Sequence, residues 1–240
     1  MKYLLIGLLL LVVGGYGSAK AYLYFKVKDG VESAIIASSP YADLSYGGVS
    51  STLTGELTVD DVVIRVNGYR DAIYIGRLGI DTPSFLTLLQ LSDLSSMAPG
   101  SDSGPPEQIG FIAENIRVPV SADYFHDVYE KNIEELAPPD IRQGGVQCVG
   151  KYGHSPRALR ALGYEDMITS VALTMRQEET RFVLDMDFDL VDVTDIEIEV
   201  AIAGNLMAGA MMGPAYRPTL QSLEVKLTDQ SILQRIQQYC

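Results

Sequence analysis

The chain has no tryptophan, two histidines and two cysteines among its 240 residues. The histidines are His126 and His154, and the cysteines are Cys148 and Cys240, with no C-x-x-C pair. A zinc site needs about four nitrogen or sulfur ligands at close spacing, so we expect no metal site and no cofactor. In an oxidising compartment Cys148 and Cys240 are a candidate disulfide, and two unrelated thiols are the alternative.

Catalytic motifs are equally scarce. A Ser-His-Asp triad drawn from His126 or His154 has no Gly-x-Ser-x-Gly turn to supply its nucleophile. Gly47-Gly48 and Gly144-Gly145 lack the strand-to-helix context that a phosphate-binding loop requires. We therefore predict no catalytic residue and no enzyme, and a hydrolase is the third of three functional hypotheses.

Basic residues are in short supply, with 18 Lys and Arg against 31 Asp and Glu and a formal net charge of −13. Residues 1–28 hold four lysines and no acidic residue, so residues 29–240 carry a formal charge of −17. So acidic a chain does not bind nucleic acid by neutralising phosphates. An anionic bilayer surface also repels it, so any contact with lipid has to be apolar.

The start of the chain is the one long uncharged run, 17 residues from Tyr3 to Ala19 between Lys2 and Lys20. It spans a hydrocarbon core of about 30 Å if Lys20 snorkels and the aromatic residues of 22–25 lie at the interface. We therefore predict a single transmembrane anchor over residues 1–28. A cleaved secretory signal is the alternative, with Ala19-Lys20-Ala21 as the cleavage site.

The orientation of this anchor has two readings. The greater number of lysines on the C-terminal side favours a cytoplasmic domain. A short basic start before a Leu-rich core is typical of export signals, and it favours a domain outside the cytoplasm. We expect the second orientation, with the amino terminus inside and the domain outside the cytoplasm.

Period-two alternation of apolar and polar residues predicts most of the remaining structure. Residues 42–81 predict three or four strands, and residues 109–120 predict another that is interrupted near Glu114-Asn115. The alternation is strictest in residues 168–228, where apolar residues alternate with Asp and Glu. It predicts an antiparallel sheet with one apolar face and one polar face.

Helices are predicted between these strands from capping residues and apolar stripes. The predicted helices are 29–38, 83–94 with Thr82 as N-cap, 121–135, 155–162 and one that follows Asp229. The fold class is therefore α+β, with antiparallel β-meander units and covering helices. The predicted units are an anchor (1–28), a meander unit (29–120), a connecting helix and loop (121–144), and a second meander unit (145–240).

Acidic residues form the most conspicuous charge feature of the second unit. The pattern favours a solvated sheet face over a calcium site, because no D-x-D-x-D-G loop is present. The residues concerned are Asp185, Asp187, Asp189, Asp192, Asp195, Glu197 and Glu199.

The apolar face of the predicted sheet has to be covered by helices or by a second sheet, or it is a binding surface. Methionine suits an adaptable apolar surface, although it also fills gaps in a core. The candidate residues of an apolar ligand face are Val171, Leu173, Met175, Phe182, Leu184, Met207 and Met211.

Residues 1–90 resemble the start of AsmA-like envelope proteins, which carry lipids along a β-groove. The matching pieces are the apolar start, DGVESAIIAS, GELTVDDVVIRV and AIYIGRLGIDTPSFLTLL. The part from Cys148 through ALGYEDM and the second meander resembles uncharacterised bacterial membrane-anchored envelope proteins. The resemblance implies the bacterial inner membrane, with the bulk of the chain in the periplasm.

The sequence leaves two main functional hypotheses. The first is a non-enzymatic envelope protein that acts as a scaffold or accessory subunit, with the membrane and other envelope proteins as partners. The alternative is a lipid or apolar-ligand binding or transfer module with a β-groove. Nucleic acid is not expected as a partner.

Overall fold

A computed structural model describes residues 2–92, 106–125, 127, 131–148, 150, 152–153, 155–204, 219–229 and 231–239. The fold is α+β and is built on a nine-stranded antiparallel sheet. The strands are β1 (Ala42–Ser45), β2 (Gly48–Ser51), β3 (Glu56–Val66), β4 (Ala72–Asp81), β5 (Gln108–Pro119), β6 (Asp166–Gln177), β7 (Arg181–Leu190), β8 (Thr194–Ala203) and β9 (Thr219–Asp229).

Helices precede, interrupt and follow the strands. The described helices are α1 (Lys2–Ser38), α2 (Phe85–Ser92), α3 (Asp123–Phe125), α4 (Lys131–Leu136), α5 (Pro139–Arg142), α6 (Pro156–Ala161) and α7 (Ile232–Tyr239). Within the part of the chain that the structure describes, no helix is both long enough and apolar enough to cross a membrane.

The strands follow one another in a single meander. The order in the sheet is β1, β3, β4, β5, β6, β7, β8 and β9, and β2 also pairs with β3. Strand β5 pairs with β6, from Gln108 opposite Arg176 to Pro119 opposite Asp166. The strands of the two predicted meander units therefore form one sheet rather than two. The segment between β5 and β6 brings the chain back so that β6 lies beside β5.

The interruption predicted near Glu114-Asn115 is a β-bulge. The register between β5 and β6 shifts between Ala113 and Ile116, and Asn115 has a φ of 54°. Asparagine tolerates this left-handed conformation better than most residues. Its backbone N–H donates to Ser170 Oγ at 3.1 Å, which holds the bulge against β6.

Helix α1 is continuous over 37 residues and packs along the sheet with its second half. Apart from Lys28, the buried and half-buried residues from 19 to 35 recur every four positions, which places them on one stripe of a helix. Leu23, only 1% exposed, is central to this contact. The N-terminal cluster consists of Leu23, Leu57, Phe85 and Leu88, with Ala19, Val27, Val49, Ile80 and Leu89 around it.

The turn before β3 is locked to the start of α2. Gly55 has a φ of 101°, and an added Cβ would lie 2.5 Å from the carbonyl oxygen of Thr82, so only glycine fits here. Thr82 Oγ1 donates to the Gly55 carbonyl at 2.8 Å. The prediction that Thr82 caps α2 is therefore wrong. The cap is Ser84, whose Oγ accepts the backbone N–H of Thr87 at 3.2 Å.

A second cluster lies at the opposite end of the sheet, where β5, β7 and β9 end. It consists of Val120, Cys148, Leu159, Leu162 and Tyr164, with Met167, Val193 and Ile236 packed against it. Two helices that the sequence predicts, α6 and α7, contribute to this cluster. Ser155 caps α6 and Gly163 follows its last turn with a φ of 84°.

Helix α7 is fixed to this end by Arg235. Its guanidinium carbon lies 4.4 Å from the ring centre of Tyr164, and its Nη1 donates to the Leu162 carbonyl at 3.2 Å. The hydroxyl of Tyr164 donates to the Asp192 carbonyl at 2.8 Å. These contacts join α6, α7 and the turn between β7 and β8.

Two other predicted helices differ from the structure. Residues 29–38 do not form a separate helix, because they continue α1 without a break. The predicted helix 121–135 corresponds to the short turn α3 and to α4, and residues 126 and 128–130 between them lie outside the described residues. Neither α4 nor α6 covers the sheet as predicted: α6 packs in the cluster at the sheet end, and α4 packs against α5 through Ile133, Ala137 and Ile141.

Candidate functional site: an apolar furrow beside helix α1

The strand register collects apolar side chains on one face of the sheet, because residues directly opposite each other on neighbouring strands point to the same side. We call this side the apolar face. One row across it runs through Leu57, Ile80, Phe111, Leu173, Met186, Ile198 and Val225. A parallel row runs through Val59, Leu78, Ala113, Val171, Phe188, Ile196 and Leu227.

The predicted ligand-face residues of β6 and β7 lie together on this side. Val171 is opposite Phe188, Met175 is opposite Leu184, and Leu173 lies between them. Phe182 is on the same side but only 4% exposed, so it belongs to the core. Met207 and Met211 lie outside the described residues.

Part of the apolar face is an open furrow of about 530 Å³. Strands β3 to β6 form its floor, and helix α1 forms one wall. Phe111 on the floor is 39% exposed, which shows that the furrow is open to its surroundings. The lining residues, all apolar, are Val27, Val31, Leu57, Val59, Leu78, Gly79, Ile80, Phe111, Ile112, Ala113, Val171 and Leu173. We call these residues the furrow.

The wall of the furrow is not among the residues that the sequence predicts for a ligand face. Val27 and Val31 lie one turn apart on the stripe of α1 that faces the sheet. The sequence prediction assigns Val27, which lies between Lys26 and Lys28, to the membrane anchor and Val31 to a separate helix, so it does not place the two on one stripe. The four-residue spacing of Ala19, Leu23, Val27 and Val31 was the signal that could have found the wall.

Beyond the furrow, the apolar face continues to the edge of the sheet. The apolar residues of β9 are more exposed than Phe111: Leu223 is 59% exposed, Val225 52% and Leu227 68%. Contiguous exposed apolar surface of this kind marks an interaction site in most soluble domains.

The opposite side of the sheet is the polar face, and it carries the predicted acidic residues of β7 and β8. Three like-charged pairs lie directly opposite each other: Asp185 and Glu199, Asp187 and Glu197, and Asp189 and Asp195. Such pairs repel unless cations lie between them. A concave region of about 400 Å³ lies over the first two of these pairs.

Two cations offset this repulsion. Arg176 pairs with Asp185, and its Nη2 lies 4.0 Å from Glu199 Oε2. Lys226 Nζ lies 2.6 Å from Glu197 Oε1, and this hydrogen bond raises the pKa of Lys226. Among the described residues, no group of His, Cys, Asp and Glu has the geometry to hold a metal ion. We interpret the polar face as a solvated face with its own counterions.

The remaining candidate residues lie away from the furrow. Cys148 is buried in the cluster at the sheet end and is disulfide-bonded. Cys240, the only other cysteine in the sequence, lies outside the described residues, so its pairing with Cys148 stays a prediction. His126 and His154 also lie outside them.

The chain matches no protein-family model, no curated protein and no solved structure. The resemblance to AsmA-like envelope proteins therefore stays a prediction, and a functional proposal has to rest on the geometry of the furrow.

Proposed function

We propose that this protein binds the acyl chain of a lipid in the furrow, and that it does so at a membrane to which α1 anchors it. The observation that carries the proposal is an open furrow of about 530 Å³ whose described lining residues are all apolar. Its volume is within the range of about 300–1,000 Å³ that is usual for small-molecule sites.

Apolar surface left in water is costly, at about 25 cal/mol for each Å². A furrow with a half-exposed phenylalanine on its floor is therefore stabilised by an apolar occupant. The absence of charge in the lining disfavours a polar metabolite, which would lose hydrogen bonds to water without gaining others. An acyl chain needs no polar partner, and its headgroup can remain in solvent.

Helix α1 supports a membrane as the source of that chain. Val27 and Val31 on the furrow wall follow Ala19 by eight and twelve residues, or about 12 and 18 Å along a helix. Upstream of Ala19 the same helix contains the uncharged run. If this run is embedded as the anchor, the furrow begins within about three turns of the bilayer.

The charge distribution supports an apolar mode of binding. The acidic side chains of β7 and β8 lie on the polar face, on the far side of the sheet from the furrow. Lysines near the furrow are on α1, where Lys28 Nζ lies 3.8 Å from Glu32 Oε1. The acidic domain thus does not attract lipid phosphates, and the affinity comes from the acyl chain.

The scaffold hypothesis required α2 and the helices at 121–135 and 155–162 to cover the apolar face. Of these three, in the described part of the chain, only α2 packs on the N-terminal cluster with β3, and α6 packs at the end of the sheet. This arrangement favours the groove hypothesis. The inner membrane and the periplasm remain the location we propose, on the basis of the apolar run.

Native mass spectrometry of the full chain, extracted from membranes in mild detergent, tests this proposal. We expect a phospholipid adduct at a ratio of about one lipid per chain, because a furrow of this volume accommodates one acyl chain or two. The same spectrum gives the mass of the chain, which we expect to include the uncleaved start. A chain that is released free of lipid contradicts the binding proposal, and a chain that begins at Ala21 or Tyr22 contradicts the anchor.

A further inference from the structure

Exposed apolar side chains gather at the end of the sheet where α1 approaches it. Leu53, in the turn before β3, is 67% exposed, and Leu86, in the first turn of α2, is 72% exposed. Tyr22 and Phe25 on α1 are 51% and 61% exposed. Single exposed apolar residues are common on protein surfaces, but these four are carried by elements at one end of the sheet, and we call the four side chains the patch.

Two links join the elements that carry the patch. The turn is fixed to the residues before α2, because the N–H of Thr82 donates to the Gly55 carbonyl at 3.1 Å. Helix α2 is fixed to α1 by Phe85 and Leu88, which pack with Leu23. Leu53, Leu86, Tyr22 and Phe25 are therefore carried by one rigid corner of the fold, which we call the α1–α2 corner.

The direction of α1 places the uncharged run beside this corner. Among the side chains of α1 that the structure describes, Ala19 is the most upstream one that packs with the N-terminal cluster, and Gly15, Gly17 and Ser18 before it are exposed. The helix thus leaves the domain at the corner. The opposite end of the sheet, with α6, α7 and Val191, lies at the far ends of the same strands.

We propose that the α1–α2 corner docks on the surface of a lipid bilayer, with Leu53 and Leu86 inserted among the acyl chains and the aromatic residues of α1 at the headgroup level. This inference rests on the proposed function and extends it, because it gives the furrow an orientation relative to the membrane. Leucine inserts into the acyl boundary and tyrosine lies at the interface, so the side chains match these depths.

The composition of the corner agrees with apolar docking on a bilayer. Lys20 and Lys26 on α1 are exposed beside it, and Lys26 Nζ lies 5.9 Å from the ring centre of Tyr22. A lysine and a neighbouring aromatic residue are a usual combination at the membrane interface. Glu56 and Asp81 lie opposite each other at the same end of β3 and β4. Their carboxylates disfavour deep insertion and limit the contact to the leucines and aromatic residues.

Docking at this corner aligns the furrow with the bilayer. The furrow wall begins at Val27, one turn beyond Leu23 on the same stripe of α1. An acyl chain that leaves the bilayer along α1 therefore meets the furrow without crossing a charged side chain of its lining. The corner is the entry side of the furrow, and the β9 edge is the far side.

The absence of tryptophan in the chain makes a direct test available. Single tryptophans are introduced as Leu86→Trp and Leu53→Trp, with Val191→Trp as the control at the opposite end, where Val191 is 40% exposed. Each full-length variant is reconstituted into phosphatidylcholine vesicles, with and without lipids brominated along the acyl chain.

We expect brominated lipid to quench about half of the emission at positions 86 and 53, because these side chains reach about 5–10 Å into the boundary region. The control at position 191 is expected to keep its emission. Loss of quenching at both 86 and 53 overturns the docking proposal, and equal quenching at all three positions overturns the end-on orientation. Neither result alters the lipid content read by native mass spectrometry, so failure of docking is distinguishable from failure of the proposed function.

Discussion

Leu173→Asp is expected to remove the lipid adduct from the purified chain and to weaken the binding of a fluorescent fatty acid at least about tenfold, or about 1.4 kcal/mol. Leu173 lies on the floor of the furrow on β6, opposite Phe111 and Met186. A carboxylate placed there has to stay hydrated, so an acyl chain can no longer lie against the floor without stripping water from a charge.

The matched control is Thr174→Asp, the next residue of the same strand. Thr174 points to the polar face, where it is opposite Asp185 and near the guanidinium of Arg176. The added carboxylate is solvated on that side, and binding should remain within about twofold of the unmodified chain. Equal loss of lipid in the two variants would show that the charge acts through the stability of β6 and would contradict the furrow as the site.

Leu23→Ala is expected to lower the free energy of unfolding by about 2–5 kcal/mol, the usual range for a leucine removed from a core. Leu23 is 1% exposed and packs against Leu57, Phe85 and Leu88, so its loss opens a cavity between α1 and the sheet. The measurement is chemical denaturation of the full chain in detergent, followed by circular dichroism of the sheet.

Ile36→Ala on the same helix is the control for Leu23→Ala. Ile36 is 73% exposed, so its truncation should change the free energy of unfolding by no more than about 0.5 kcal/mol. If the two variants unfold at the same denaturant concentration, then α1 is an anchor that does not pack on the domain. The furrow would in that case lack the wall formed by Val27 and Val31.

The strands were predictable because their signal is local. Alternation in β7 places Asp185 and Asp187 on one side and Leu184 and Met186 on the other, and the paired register confirms both sides. The interruption at Glu114-Asn115, which the structure shows to be a bulge, was predictable for the same reason, since a polar pair breaks an apolar alternation. Each of these predictions depends on residues that are close in sequence.

The union of the strands into one sheet was not predictable from such signals. Strand β5 ends at Pro119 and β6 begins at Asp166, and the helical segment between them reads as a connector between two domains. Nothing in the alternation of either strand identifies its neighbour, because pairing between residues so far apart depends on the whole fold. The prediction of two separate meander units follows from this lack of information about which strands pair.

The start of α2 illustrates a competition that the sequence does not resolve. Thr82 and Ser84 are both residues that cap helices. The hydroxyl of Thr82 is engaged by Gly55, 27 positions earlier in the chain, which leaves Ser84 as the cap. A contact between distant residues thus overrides a local preference.

The candidate site was predictable in part. The alternation identified Val171 and Leu173 as residues of an apolar face, and both line the furrow. The pattern does not distinguish a covered face from an open one, because covering depends on where the helices pack. Val27 and Val31 were not identified because the prediction divides α1 at residue 28, so the stripe that runs from Ala19 to Val31 along one helix face is split between an anchor and a separate helix.

Photochemical crosslinking in intact cells is the most direct test of the central claim that a lipid chain occupies the furrow. A benzophenone amino acid replaces Phe111 on the furrow floor in one variant, and replaces Tyr239 on α7, also an exposed aromatic residue, in the other. After irradiation, mass spectrometry of the purified chain identifies what is attached at each position. We expect a lipid adduct at position 111 and none at position 239, whereas a protein adduct or no adduct at position 111 would contradict the account.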